Sequence, residues 1–251
     1  RLSRAGVRVY PHSDLGTLEA MLRAAPPEGR RLIVTDSVFS MDGDRAPLPA
    51  LVALAEDYHS FLMVDEAHAG GIFGTRGAGL VDAHGLENRV AVQMGTLSKA
   101  LGGMGAYVAG SRSLIDLLVN RARSFIYTTG LAPACVAAAG AALDVVAAEP
   151  ERREALARNA LYLRHGLTGI GFRVPGDTHI LPVLLGDNRR TVAFAESLLA
   201  HGVLVQAIRP PTVPAGTARL RVTPMATHTR AQLDHALDAF AAAAREIGAV
   251  E

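Results

Sequence analysis

The sequence has no tryptophan, one cysteine and one lysine in 251 residues. A single thiol, Cys135, excludes an internal disulfide framework and fits a reducing, cytoplasmic setting. It sits in "LAPACVAAAG", an alanine-rich predicted helix, where it reads as a small core residue. No apolar run reaches the roughly 18 residues that a membrane span needs, and no signal peptide is expected. Neither sign of charge is in excess. Lys+Arg number 25 against 24 Asp+Glu, a formal +1, which gives no electrostatic case for nucleic acid or a membrane surface. Internal repeats, coiled coil and low-complexity tracts are also missing. What remains is 49% hydrophobic and 20% charged, an ordinary globular composition with length for one large domain or two modest ones.

The scarcity of lysine is the most informative shortage. The other 24 cations are all arginine. Arginine does not lose its proton in a protein, whereas lysine can be desolvated into a neutral, nucleophilic amine. Codon bias that left one surface lysine is the plain alternative. Lys99, however, lies in "GTLSKALGGMG" (95–105), between Ser98 and Ala100, among glycines and with no charged neighbour. That setting points to chemistry.

Along the first half, short apolar runs alternate with amphipathic segments. "RLIVTDS" (31–37), "FLMVDEAH" (61–68), "RVAVQMGT" (89–96) and "GAYVAGS" (105–111) read as strands. Residues 13–25, with Ser13 or Asp14 as N-cap, and 47–58 read as helices. This order predicts an α/β fold whose mostly parallel sheet is covered on both faces. Helices are predicted at 112–123, 133–148, 151–166, 191–202 and 230–246, with strands at "FRV", "ILPVLL" and "RLRVT". "AAEPERRE" (147–154) is the expected boundary between a large domain (1–148) and a smaller α+β domain (149–251).

In an open parallel sheet, ligands gather at the carboxyl ends of the strands. Ser40 follows the first strand, Asp65 and His68 close the second, and Thr96 and Lys99 follow the third. "VDEAH" alone also fits the acidic strand of a P-loop ATPase, but the G-x-x-x-x-G-K-[ST] loop that reading needs is not there. "HAGGIFGTRGAG" (68–79) reads equally as a phosphate-holding loop and as a flexible one. A unique lysine, a strand-end aspartate and a nearby histidine suit pyridoxal 5'-phosphate (PLP). Its aldehyde condenses with an amine, and its ring nitrogen is kept protonated by a carboxylate. A helix-capping acid and a partly exposed histidine are the equal alternative for Asp65 and His68 taken alone.

Together, "FSMDGDRAPL", "LMVDEAH", "TLSKALGG" and "FIYTTGLAP" resemble, in order and spacing, the α-oxoamine synthase family of fold-type-I PLP-dependent transferases. "RPPTVPAGTARLRVT" (209–223) is similar to the form in its 8-amino-7-oxononanoate-forming branch. The resemblance implies that Lys99 binds the cofactor covalently and later moves the substrate α-proton. It places Asp65 on the ring nitrogen, His68 and Ser40 at the phenolic oxygen, and Thr96 on the phosphate, with Thr129 of a homodimer partner beside it. Arg221 holds the amino-acid carboxylate, with Arg209 and Thr212 lining the substrate side, and no metal ligand is assigned. An arginine fork suits a carboxylate. The implied reaction joins L-alanine to a pimeloyl thioester, on CoA or a carrier protein (ACP), with loss of carbon dioxide, in biotin synthesis. Glycine-using relatives and a catalytically silent partner subunit are the alternatives. The chain departs from the family at Ala69, where glycine is usual, and in "PMATHT" after "RLRVT". The family also carries an N-terminal portion with a glycine-rich phosphate loop and a ring-stacking histidine, so the chain is read as a large domain lacking that portion.

Overall fold

A computed structural model describes residues 4–26 and 28–248. The chain divides into two compact units. The first takes the segments up to residue 37, 46–70 and 78–142; the second takes 38–45, 71–77 and the chain from 143 onward.

The first unit is built on a four-stranded sheet in chain order: β1 (Leu32–Asp36), β2 (Phe61–Asp65), β3 (Val92–Thr96) and β4 (Ala106–Gly110). The first three strands run parallel and β4 is antiparallel to β3, so the mostly parallel sheet expected from the sequence forms. Helix α1 (Leu15–Arg23) starts at Asp14, whose carboxylate accepts from Thr17 N at 2.9 Å. Helix α2 (Leu48–Asp57) buries Leu48, Leu51, Val52 and Ala55, the 3–4 residue spacing of one helical face. It packs on β2, where Ile33, Leu62 and Val64 of the sheet are buried. Each such aliphatic side chain contributes about 1.5–3 kcal/mol.

Among the described residues the expected cover is present on one face of this sheet. Leu32, Val34 and Phe61, which alternate with the buried set, are each more than half exposed. Apolar residues at successive strand positions record what both faces are suited to pack against. Among the described residues, the helices of this unit cover one face of β1 and β2 and leave the other bare. At the amino ends of the strands, helix α4 (Arg112–Arg121) flanks that bare face, and Leu114 and Leu117 join Leu32, Phe61 and Val92 around a groove of about 850 Å³. The unit also holds the short helices α3 (Leu80–Ala83) and α5 (Arg123–Ile126), and the boundary between units falls within α6 (Pro133–Ala148).

The second unit is an antiparallel sheet in the order β5-β7-β6 (Leu181–Gly186, Ala218–Val222, Gln206–Ile208) with helices α7 (Glu151–Ile170), α8 (Asn188–Ala200) and α9 (Arg230–Ile247). Its core centres on Phe172, Phe194 and Phe240, with ring centroids 5.6–5.8 Å apart. Leu163, Leu167, Leu181, Leu198, Leu220 and Leu233 fill the space around them. Helix α9 opens with a capping box between Thr229 and Gln232. "FRV" does not form the strand expected of it. Arg173 makes one isolated bridge to Leu184, and the carbonyls of Val174 and Pro175 accept instead from Arg164 Nη1 at 2.9 and 2.8 Å. Pro175 lacks the N–H a ladder requires. Among the described residues no single helix is long and apolar enough to cross a membrane.

Candidate functional site

In the first unit, the parallel register sets Asp36 of β1 directly beside Asp65 of β2. Strand alternation puts both on the bare face of the sheet at its carboxyl edge, with Thr96 at the end of β3 two residues past Asp65's partner Met94. Asp65 Oδ1 accepts from Ala67 N at 2.8 Å, which fixes the carboxylate, while Oδ2 accepts no hydrogen bond from a described residue. Three residues on, His68 Nε2 lies 3.0 Å from Lys99 Nζ. Two residues 31 apart in sequence thus meet over the strand ends, and the only amine among the side chains is one of them. Burial first, and then the charge of Asp65, push the Asp36 carboxyl above its ordinary value, while Lys99 pulls it back down.

Glycine and hydroxyl chemistry shape the turn that presents Lys99. Leu97 N donates to Gly105 O at 2.9 Å and Gly103 N to Leu97 O at 2.7 Å, closing the turn. Thr96 Oγ1 donates to Gly105 O at 3.0 Å and shares a 2.7 Å hydrogen bond with Ser98 Oγ. The Thr96 hydroxyl therefore serves its own turn, and the exposed Ser98 hydroxyl stands next to it. Gly95 is required by close approach: a Cβ there would sit 2.4 Å from the Tyr107 ring. Thr129 is exposed in the segment after α5.

The remaining expected residues belong to the second unit. Ser40 is half-buried in the 38–45 hairpin, and its carbonyl accepts from Arg221 Nε at 2.6 Å. Arg221, on β7, is partly buried, and that burial alone lowers its pKa. Its Nη atoms donate to no described residue, so they are available to an anion. Arg209 and Thr212 are exposed and joined by a turn in which Thr212 N donates to Arg209 O at 3.1 Å. Neighbouring Arg219 is buried and fastens the same hairpin, donating to Met41 O at 3.0 Å and to Asp42 Oδ1 at 2.6 Å. Within the loop 71–77, two glycine amides are already engaged. Gly71 N and Gly77 N are already spent on Gly77 O and Gly74 O, and Arg153 Nη2 caps Thr75 O at 2.7 Å.

The model of the aminotransferase class I and II family matches residues 1–240. The chain belongs to that family. Within it, 8-amino-7-oxononanoate synthase of Geobacter sulfurreducens is 51% identical over 99% of this chain, and that of Trichlorobacter lovleyi is 50% identical over 98%. The chain spans 64% of the length of either relative. Among solved structures, Sphingomonas wittichii serine palmitoyltransferase superposes with a TM-score of 0.92 at 32% identity, covering 96% of this chain and 61% of that one. The 8-amino-7-oxononanoate synthase of Francisella tularensis gives 0.83 at 26% identity, over 98% and 70%. A further match, at 0.92 and 36%, is a structure of serine palmitoyltransferase with PLP, over 95% and 61%. The fold is thus that of fold-type-I PLP enzymes.

Three residues at this family member's strand ends escaped the sequence reading: Asp36, Ser37 and Glu66. The rule that singled out Asp65 applies equally to Asp36, the last residue of "LIVTD". Glu66 stood in the sequence only as part of "VDEAH", with nothing to mark its buried contacts. Its hydrogen-bond donors lie 29, 14 and 15 residues away.

Proposed function

We propose that the whole protein is a PLP-dependent C-acyltransferase that condenses L-alanine with a pimeloyl thioester, on CoA or ACP, releasing carbon dioxide and the free thiol of the carrier and forming 8-amino-7-oxononanoate for biotin synthesis. It acts as a homodimer in the cytoplasm. The observation that carries this reading is the 3.0 Å contact of Lys99 Nζ with His68 Nε2 above the strand end that bears Asp65.

The donor set suits PLP: one amine and one fixed carboxylate with an open oxygen. Asp65 is assigned to the ring nitrogen, Lys99 to the aldehyde, His68 and Ser40 to the phenolic oxygen, and Thr96 to the phosphate, with Thr129 supplied from the partner subunit. When bound, PLP supplies an electron sink for charge on the amino acid's α-carbon. The chain's own groups do the rest. The Asp65 carboxylate would keep a proton on the cofactor's ring nitrogen. His68 holds the Lys99 amine in place, and that amine would take the substrate's α-proton at Nζ and return one later. Arg221 uses both Nη groups on the substrate carboxylate, with Arg209 and Thr212 on the substrate side. The likeness to serine palmitoyltransferases supports a second reading in which serine replaces alanine at the same site.

The test is a visible spectrum of the purified protein with PLP, before and after each amino acid. A cofactor band lost in Lys99→Ala and altered by L-alanine alone is the expected result. A response to serine or glycine moves the assignment to the relatives using those amino acids, and a band that survives in Lys99→Ala refutes the role of Lys99.

A further inference from the structure

Glu66 is among the most buried charged-type residues of the first unit, and no step above uses it. Its backbone and side chain together hold the turn that carries His68. Glu66 N donates to Met94 O of β3 at 2.7 Å, and Glu66 O accepts from Ala69 N and Gly70 N at 2.9 and 2.8 Å. Its carboxylate accepts three more bonds: from Ser37 Oγ at 2.7 Å, Leu80 N at 3.1 Å and Val81 N at 2.7 Å. The end of β1, the end of β2 and the returning chain at α3 therefore meet on one side chain, two residues from His68. Gly79 leaves room for it, since a Cβ there would stand 2.7–2.9 Å from the carboxylate atoms.

We infer that Glu66 is a positioning residue that sets His68 against the Lys99 amine. Its importance to catalysis rests on the function proposed above; the coupling to Lys99 does not. An acceptor-only carboxylate satisfies three donors, whereas an amide cannot. In Glu66→Gln one half of the group becomes an N–H donor. Placed at Oε1 it faces Val81 N–H, and placed at Oε2 it faces Leu80 N–H. Either way the returning chain at α3 is pushed off, and the turn between Asp65 and Gly70 loses its clamp.

The experiment reads Lys99 directly. Acetylation by acetic anhydride is followed from pH 6 to 10 by mass spectrometry of the Lys99 peptide, in protein stripped of cofactor. The variants are Glu66→Gln, His68→Ala, both together, and Ser37→Ala. Loss of a hydrogen bond to a charged group changes the labelling rate about tenfold, and we expect that change in His68→Ala. Glu66→Gln changes it in the same sense, and the double variant changes it no further than His68→Ala alone. Ser37→Ala keeps both backbone donors, folds, and moves the rate in the same sense by a smaller factor; it decides the matter if Glu66→Gln does not fold. Wild-type labelling of Lys99 in a folded Glu66→Gln or Ser37→Ala protein overturns the inference, as does an additive double variant. Wild-type protein that shows the coupling but forms no band with PLP refutes the proposed function and leaves the positioning role standing.

Discussion

Replacing Gly79 by alanine tests the Glu66 clamp from its other side. Gly79 adopts φ +119° and ψ −171°, a region that is essentially glycine-only and costs a residue with a side chain about 1–3 kcal/mol. The new methyl would also lie 2.7 Å from Glu66 Cδ and 2.8 and 2.9 Å from its oxygens. The carboxylate must then move, weakening its bonds from Leu80 N and Val81 N. Hydrogen bonds to a charged group are worth about 1.5–3 kcal/mol each. With part of that recovered by relaxation, Gly79→Ala should lower stability by about 3–5 kcal/mol in urea denaturation. The same change made in a Glu66→Ala background has no carboxylate to displace, so only the backbone strain of about 1–3 kcal/mol should remain. An equal cost in both backgrounds, or a cost below about 1 kcal/mol in the first, refutes the packing argument.

Three further outcomes follow from the same geometry. Asp36 has its carboxyl raised above 3.8 by burial and by Asp65, so its contribution to stability is full below the unfolded-state value and is lost as pH rises through the folded-state value. Asp36→Asn should therefore gain on wild type in melting temperature between pH 4 and 7, and an unchanged difference across that range counts against the shift. Phe240→Ala removes one ring of the Phe172–Phe194–Phe240 cluster and should cost about 3–5 kcal/mol in thermal unfolding. Arg219→Met leaves Met41 O without its donor, while half-exposed Asp42 rehydrates; we expect a loss of about 1–3 kcal/mol, with proteolysis near residues 38–45 as the local readout.

The alternation of apolar runs and helical spacing was enough to place β1 to β5, β7 and the long helices, because those elements are decided by local pattern. Asp14 as the cap of α1 and the Lys99 turn were equally local. The bare sheet face was not legible, since Leu32 and Val34 look the same in sequence whether or not anything packs on them. Strand β6, three residues long, is held by its neighbour β7 rather than by its own composition. Glu66 and Arg219 were missed for a related reason: each is buried by partners from distant segments, and in sequence each looks like a surface charge. The tie from Arg221 Nε to the Ser40 carbonyl spans 181 residues and has no local signature.

The chain passes from one unit to the other five times, at 37/38, 45/46, 70/71, 77/78 and 142/143. No single cut can therefore release the second unit whole. A truncated chain beginning at residue 143 would lose Gly43, whose carbonyl receives Thr178 Oγ1 at 2.8 Å, Asp177 N at 3.1 Å and Thr178 N at 3.2 Å. It would also lose Asp42 and Met41, the acceptors of Arg219. During synthesis residues 38–45 and 71–77 emerge before the residues from 143 onward that complete their unit. Gene fusions, domain swaps and limited proteolysis will thus treat the two units as one inheritable piece.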